Sequence, residues 1–412
     1  MKRGYVILAA AFAAMAICGA GPVSASASAS ASASARQERQ ASPGFSAAFG
    51  STLVALSCSS VAACTAVGSF YSKSHLSLVP LAERWNGHHW AIQRPPDPAG
   101  ALETFMAGVA CQSASACIAV GYYDAKSGPL GLAERWDGRR WTIQRTSLPS
   151  GSVSSELDSV SCPSPAECIA VGFDEQKSGV FRTLAERWNG HDWTIQRSAN
   201  PGGANDTEFS WVSCPAVADC VAVGNHGVSS TSQTMLAESW NGRRWSTQPT
   251  PVPAGAMDSD LGGASCSSAS ACTAVGEYLS RTGTSLALAE RWNGRRWSTQ
   301  HASNPQGALG DELVAVACHS ATTCTAVGDF TNSTSDVESL AERWNGKHWV
   351  IQPTAAPPSG GTSGALVAVR CTSAVSCIAA GDYESSADVG KTLAEHWNGK
   401  HWAVQHTPNP AS

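Results

Sequence analysis

Short runs in which apolar and polar residues alternate, bounded by Gly, Asn, Pro and Ser, fill the chain from about residue 45 onward, with little helical patterning. Such runs predict β-strands. The first unit parses into four of them, "STLVALSC", "CTAVGSF", "LVPLAERW" and "HWAIQR". The last two belong to a phrase, "LAERWNGHHWAIQ" at Leu81–Gln93, that recurs in six further variants such as "LAERWDGRRWTIQ" and "LAEHWNGKHWAVQ". Asn86-Gly87, and Asp137-Gly138 in the second unit, predict a tight hairpin, because a type I′ turn needs positive φ at both central residues. A two-residue turn sets Trp85 opposite position 88, Glu83 opposite Trp90 and Leu81 opposite Ile92. One face then carries Leu81, Glu83, Trp85, Trp90 and Ile92, and the other Ala82, Arg84, position 89 and Gln93.

Fourteen of the fifteen cysteines form seven pairs with five residues between partners. These are Cys58/Cys64, Cys111/Cys117, Cys162/Cys168, Cys214/Cys220, Cys266/Cys272, Cys318/Cys324 and Cys371/Cys377, and successive pairs start 51 to 53 residues apart. Fourteen of the fifteen tryptophans keep the same period. A period near fifty without helical patterning predicts one supersecondary unit per repeat, as in a propeller or an array. Each cysteine pair flanks the loop between first and second strands, so a cross-strand disulfide within each hairpin is expected rather than a metal site. Such a bridge staples its own hairpin and ties no distant parts together.

A four-stranded sheet of this composition cannot cover both of its own faces, and seven arranged radially cover one another. A solenoid is the rival arrangement. It usually ends in atypical capping repeats, whereas the last unit here is as regular as the middle ones. The expectation is therefore an all-β, seven-bladed β-propeller of four-stranded antiparallel blades. Its blades span about 45–97, 98–149, 150–201, 202–253, 254–305, 306–357 and 358–412, and its ring shuts by packing the first blade on the last. The Ala, Val and Gly of "TAVG" and "IAVG" suit the inner part, and the Trp-rich strands the rim.

The order of Gly68, Trp85 and Trp90, repeated in every unit, resembles kelch repeats over essentially the whole mature chain. One glycine stands where kelch has two, Trp85 replaces the usual Tyr, and paired cysteines are not a kelch feature. The chain is also similar to secreted actinobacterial proteins with "WNG…W" repeats. The resemblance implies the propeller and assigns no ligand.

Composition refines the picture. The 412 residues are 43% hydrophobic and 14% charged with a formal charge of −5, which argues against a polycation built for nucleic acid. Residues 1–25 read as a signal peptide, with Lys2 and Arg3 before an apolar run and Val23-Ser24-Ala25 at the cleavage site. Cys18 follows Ile17, where a lipobox has a small residue, so a lipid anchor is not expected. Residues 26–44 read as a flexible Ser/Ala-rich linker, and 45–412 as the propeller. A secreted monomer follows, associated with the cell wall in one reading, with no later run apolar enough to span a bilayer.

No nucleophile elbow, zinc helix, P-loop or dinucleotide fingerprint occurs, nor the Asp box of propeller sialidases, so no catalytic residue, cofactor or metal is expected. The glutamates at 83, 134, 186, 238, 290, 342 and 395 occur once per unit, which argues for a structural role: Glu held by Arg, and Arg also covering a Trp face. Both hairpin tryptophans should be buried by blade packing. The residues after the Asn-Gly turns form a basic fringe, from His88-His89 to Lys400-His401, beside the disulfide loops. The variable loops belong to the opposite face, to which Glu103, Glu156, Asp158, Asp206, Glu208, Asp258, Asp260, Asp311 and Glu312 bring negative charge. Trp211 and His226 break the repeat, and with Asp206 and Glu208 are the candidate axial ligand site; alternatively Trp211 fills the tunnel. The function expected is a non-catalytic binding or scaffold module for an extracellular protein, a cell-wall glycan or an anionic polymer. The alternative is a carbohydrate-active enzyme or multivalent lectin.

Overall fold

The computed structural model describes residues 50–202, 206–229, 232–361, 363–387 and 389–410; the expected signal peptide, Cys18 and the Ser/Ala linker lie outside the described residues. Seven four-stranded antiparallel sheets follow one another, each made of four consecutive strands. In blade 1 these are β1 (Ser51–Ser60), β2 (Ala63–Ser72), β3 (Ser77–Trp85) and β4 (Trp90–Gln93). The first strands of neighbouring blades pack on one another, and that of blade 7 packs on β1. They ring the axis, and the short fourth strands lie at the rim. The all-β, seven-bladed propeller thus closes without strand exchange.

Each hydrophobic core lies at a seam between blades rather than within one. At one seam Leu53, Leu81 and Trp90 meet Ala368, Ile378, Ala380 and Ala394 of blade 7. On the other face of blade 1, the small residues Ala55, Val67 and Ala82 receive Met106, Leu132, Trp136 and Trp141 of blade 2. Period-two alternation puts large side chains on one face and small ones on the other, so every blade presses its bulk into the hollow of the blade before it. Burying a leucine such as Leu81 contributes roughly 1.5–3 kcal/mol, and the partner surface always comes from a neighbour.

Glycine and a bulge recur together. Every first strand carries a register shift at the same place, between Leu53 and Ala55 in β1, and the residue before the shift pairs with the glycine of the second strand, Leu53 with Gly68. A Cβ on Gly68 would lie 2.0 Å from the Thr52 carbonyl oxygen, and one on Gly121 1.9 Å from that of Phe105. Only glycine allows the strands to approach there. The extra residues, Val54 in blade 1 and Asp158 in blade 3 among them, are partly exposed along the axis.

All seven expected disulfides form, each inside one hairpin, with Cα–Cα separations of 3.9–4.0 Å. Each closes a short loop, for which chain entropy predicts about 2 kcal/mol. Each bridge is local, as expected, and its surroundings add a second role. The second-strand partners, Cys64, Cys117, Cys168, Cys220, Cys272, Cys324 and Cys377, are only 1–2% exposed, and each belongs to the core at the seam with the preceding blade. The reason is their position on the second strand, which has a strand on either side and turns this residue to the bulky face of the blade. Threonines of the preceding blade touch three of these sulfurs: Thr65 lies 3.7 Å from the Cys117 Sγ, and Thr273 and Thr325 lie 3.6 Å from those of Cys324 and Cys377. The first-strand partners from Cys111 to Cys371 are partly exposed. The disulfides are therefore part of the packing between blades.

The outer hairpin differs from its expected register. Trp85 pairs with Trp90 and Glu83 with Ile92, because the connection has four residues instead of two. The Asn86 Oδ1 accepts the N–H groups of both His88 and His89 at 2.9 Å, while Gly87 alone takes positive φ. The side chain of Asn86 thus builds the turn that a type I′ backbone would otherwise make. The slip is by two residues, so the facial composition is unchanged. The paired indoles lie 5.6–5.8 Å apart in every blade.

Candidate functional site

The repeated glutamates are almost completely enclosed, at 0–1% exposure, but Arg does not hold them. Backbone N–H groups of the preceding blade's connecting loop donate instead: Ala199 and Asn200 to Glu238, Ser303 to Glu342 and Ala355 to Glu395, at 2.9–3.1 Å. Glu83 accepts from the Thr392 hydroxyl across the closing seam. Adjacent strand residues point to opposite faces, so the Arg of each "AER" looks toward the following blade. There Arg84, Arg291 and Arg343 cover tryptophans, as expected. Burial pushes Glu83 and Glu342 up to about 8 and Glu134 to about 9. All seven are enclosed away from substrate, and most are clasps between blades; Glu290 accepts from Thr299 of its own blade, and Glu134 has no hydrogen-bond partner among the described residues.

A different set of carboxylates meets on the axis. Two residues before the bulge stand Glu156, Glu208, Asp260 and Glu312 in blades 3 to 6, each on the first strand rather than in a loop. The residue after the second-strand glycine is Glu277, Asp329 and Asp382 in blades 5 to 7, and Asp260 pairs with Glu277 and Glu312 with Asp329 across the strands. All are partly exposed along the channel. Burial, followed by neighbouring carboxylates, raises Asp260 and Glu312 well above the ordinary range. Asp158, on the bulge of blade 3, is raised by burial and then by Glu208 of blade 4.

Blade 2 completes this mouth differently. Phe105 and Tyr122 are cross-strand partners whose rings stack at 4.8 Å. Burial raises the Tyr122 phenol, and Glu156 and Asp158 add to the effect, which sets the aromatic pair beside the carboxylates. In blade 4 the equivalent position holds Asn225, paired with Glu208. It is 4% exposed, and its Nδ2 has no acceptor among the described residues.

The four residues singled out in the sequence all belong to blade 4, and three of them, Asp206, Glu208 and His226, lie along one stretch of its first two strands. Glu208 joins Asp158 in the channel. Asp206 is exposed, and its Oδ1 accepts the Phe181 N–H of blade 3 at 3.1 Å. His226 pairs with Thr207, and burial lowers its pKa. Trp211 packs against the core between blades 4 and 5, where other blades carry Ala, Gly or Ser. Sequence reasoning counted Asp158, Asp260 and Glu312 as loop charge and overlooked Asn225, Glu277 and Asp329. The usable signal was their common offset from the repeat glycine.

On the opposite face, the residues after the Asn-Gly turns are exposed in every blade, from His88 and His89 round to Lys400 and His401. Among the described residues no group of three or more His, Cys, Asp or Glu is arranged to hold a metal ion, and no helix is long and apolar enough to cross a membrane.

The chain matches no protein-family model and no curated protein. Among solved structures it is similar to a puromycin hydrolase at 10% identity, with a TM-score of 0.55 over 89% of this chain and 55% of that one. It is similar to a polysaccharide lyase of family PL25, an ulvan lyase, at 11% identity and a TM-score of 0.53, covering 87% and 97%. It is also similar to the GH74 xyloglucanase from Xanthomonas campestris at 12% identity and a TM-score of 0.51, covering 86% of this chain. The chain spans 55% of that xyloglucanase. At such identities the similarity establishes the β-propeller fold alone.

Proposed function

We propose that the chain is an exported, non-catalytic binding module that receives a cationic ligand at the axial mouth, with the variable loops of that face selecting what fits. The observation that supports this most directly is that Asp158 and Glu208, carboxylates of adjacent blades, stand near enough in the channel for the charge of one to raise the other. Burial disfavours the ionised carboxylates, and an ammonium or guanidinium group restores them. Tyr122, stacked on Phe105, stands near the same carboxylates, where aromatic rings attract cations. Seven disulfides accord with an oxidising compartment. Calorimetry with argininamide tests the reading. Binding should tighten as pH rises and vanish in Asp158→Asn/Glu208→Gln, a change that burial should tolerate; equal binding by the variant overturns it.

The same pair favours one second reading, a carbohydrate-active enzyme, since two neighbouring carboxylates in a channel are the equipment of glycoside hydrolysis. Turnover in a screen of glycosidase and lyase substrates, lost in the same double variant, would establish catalysis and replace the binding assignment. A lectin with one site per blade would instead show a sugar stoichiometry well above one.

A further inference from the structure

The face opposite the channel mouth carries a separate chemistry. Each Asn-Gly turn rests on the disulfide hairpin of its own blade: a Cβ on Gly242 would lie 3.0 Å from the Ala218 Cβ, and one on Gly294 2.9 Å from that of Ser270. Turns and disulfide hairpins therefore form one surface. Within the turn, the Asn241 Oδ1 accepts the N–H groups of both Arg243 and Arg244 at 3.0 Å, and Asn293 does the same for Arg295 and Arg296. The next residues, Trp245 and Trp297, are buried and anchor the far end. A braced turn thus holds two side chains out into solvent at the same place in each blade: two arginines in blades 2, 4 and 5, Lys and His in blades 6 and 7, two histidines in blade 1, and His191 with Asp192 in blade 3. Blades 4 to 7 set Arg243, Arg244, Arg295, Arg296, Lys347 and Lys400 along one arc of the rim.

The formal charge of −5 conceals this surface. The buried glutamates are enclosed between blades and the axial carboxylates lie in the channel, so neither set neutralises the rim; the acids on this face itself are Asp137, Glu167 and Asp192 in blades 2 and 3 and Asp219 in blade 4, which leaves the arc of blades 4 to 7 cationic. The hairpin tips on this face expose Val61, Val217 and Val375, and among the described residues they carry no exposed Leu, Ile or aromatic side chain to enter a bilayer. A hydrated polyanion suits it better than a lipid surface.

We propose that this face docks on a linear carboxylate-bearing polysaccharide, successive carboxylates engaging the arginine pairs along the arc. The guanidinium fork matches a carboxylate. Single exposed pairs are weak and salt-screened, so affinity comes from several engaged at once.

Polygalacturonate is the probe. The wild-type protein should be retained on the immobilised polymer at low salt and released as the Debye length falls to about 3 Å near 1 M. Arg243→Gln/Arg244→Gln/Arg295→Gln/Arg296→Gln should bind at least about tenfold more weakly while melting at the wild-type temperature, since all four side chains are exposed. Asp158→Asn/Glu208→Gln should leave retention unchanged, which separates this surface from the axial site. Retention that ignores salt, equal retention of the quadruple variant, or binding to phosphatidylglycerol vesicles but not to the polymer overturns the proposal.

Discussion

The Arg84 guanidinium lies over the ring of Trp136 in the next blade, 5.0 Å from its centroid. Arg291 covers Trp344 and Arg343 covers Trp397 in the same way, at 6.0 and 5.0 Å. Blades 4 and 7 carry Ser239 and His396 at the Arg position. The tryptophans that follow them, Trp292 and Trp85, are the only two of the fourteen repeat indoles left partly exposed, against the expectation that all would be buried.

Ser239→Arg should therefore close the lid on Trp292. A cation–π contact at a half-exposed site contributes about 0.5–1 kcal/mol. The expected outcome is a higher melting temperature and a blue-shifted tryptophan emission, read by thermal unfolding and fluorescence. An unchanged spectrum would mean that the serine does not cause the exposure.

The pH dependence of stability follows from the buried glutamates. Burial raises Glu83, Glu134 and Glu342 to about 8, 9 and 8 from 4.5, and Glu186, Glu290 and Glu395 to about 7. The neutral form is favoured in the folded state, so the stabilisation is fully present below about 4.5 and is lost as pH rises through 7 to 9. Each group removes about 1.4 kcal/mol per pH unit between its two pKa values. Calorimetric melting temperatures should peak in mild acid and fall towards pH 9. Glu134→Gln should flatten that fall most, because neither carboxyl oxygen of Glu134 has a hydrogen-bond partner among the described residues.

The closing seam depends on the C-terminal tail. The Asn409 Oδ1 accepts the Ser51 hydroxyl at 2.8 Å and the Thr392 N–H at 2.9 Å, and the Thr407 hydroxyl donates to the Thr392 carbonyl at 2.7 Å. Asn200 does the corresponding work between blades 3 and 4, with Thr183 and Thr207. Asn409→Ala leaves these donors unanswered and should cost about 1–3 kcal/mol. Faster proteolysis at the junction of blades 1 and 7 would be the signature, and cleavage spread evenly round the ring would contradict it.

Gly276 sits where an added Cβ would lie 2.1 Å from the Asp260 carbonyl oxygen. Gly276→Ala must push the first strand of blade 5 off its partner, at a cost of about 3 kcal/mol or more. Thermal unfolding would measure it. A glycine in open surroundings, such as Gly307, should accept Ala with a much smaller loss, although its positive φ carries some strain.

Much of the fold was legible because its signals are local. The cysteine spacing, the turn residues and the two-residue alternation act within one hairpin, so the blades, the disulfides and the facial composition of Leu81, Glu83 and Trp85 could all be read in advance. The register of Trp85 against Trp90 could not, since Asn-Gly serves both two-residue and four-residue turns and the Asn side chain decides between them. Nor could the enclosure of Cys64 and its counterparts, because spacing pairs the sulfurs within a hairpin but does not say what the preceding blade lays over them. The packing of Trp211 against the core between blades 4 and 5 was equally hidden, since the neighbour it meets belongs to another module.

The sequence alone determined how many modules there are, what each contains and which side chains share a face, because backbone geometry and turn chemistry are complete within about fifty residues. Only the tertiary structure decided that loop backbone from the preceding blade receives Glu238, that Arg84 shelters an indole of the following blade, and that Asp158 and Glu208 meet at the axis. Those contacts join residues of different modules, and no spacing within a module encodes them; they exist because each sheet must cover its apolar faces with its two neighbours, which closes the ring.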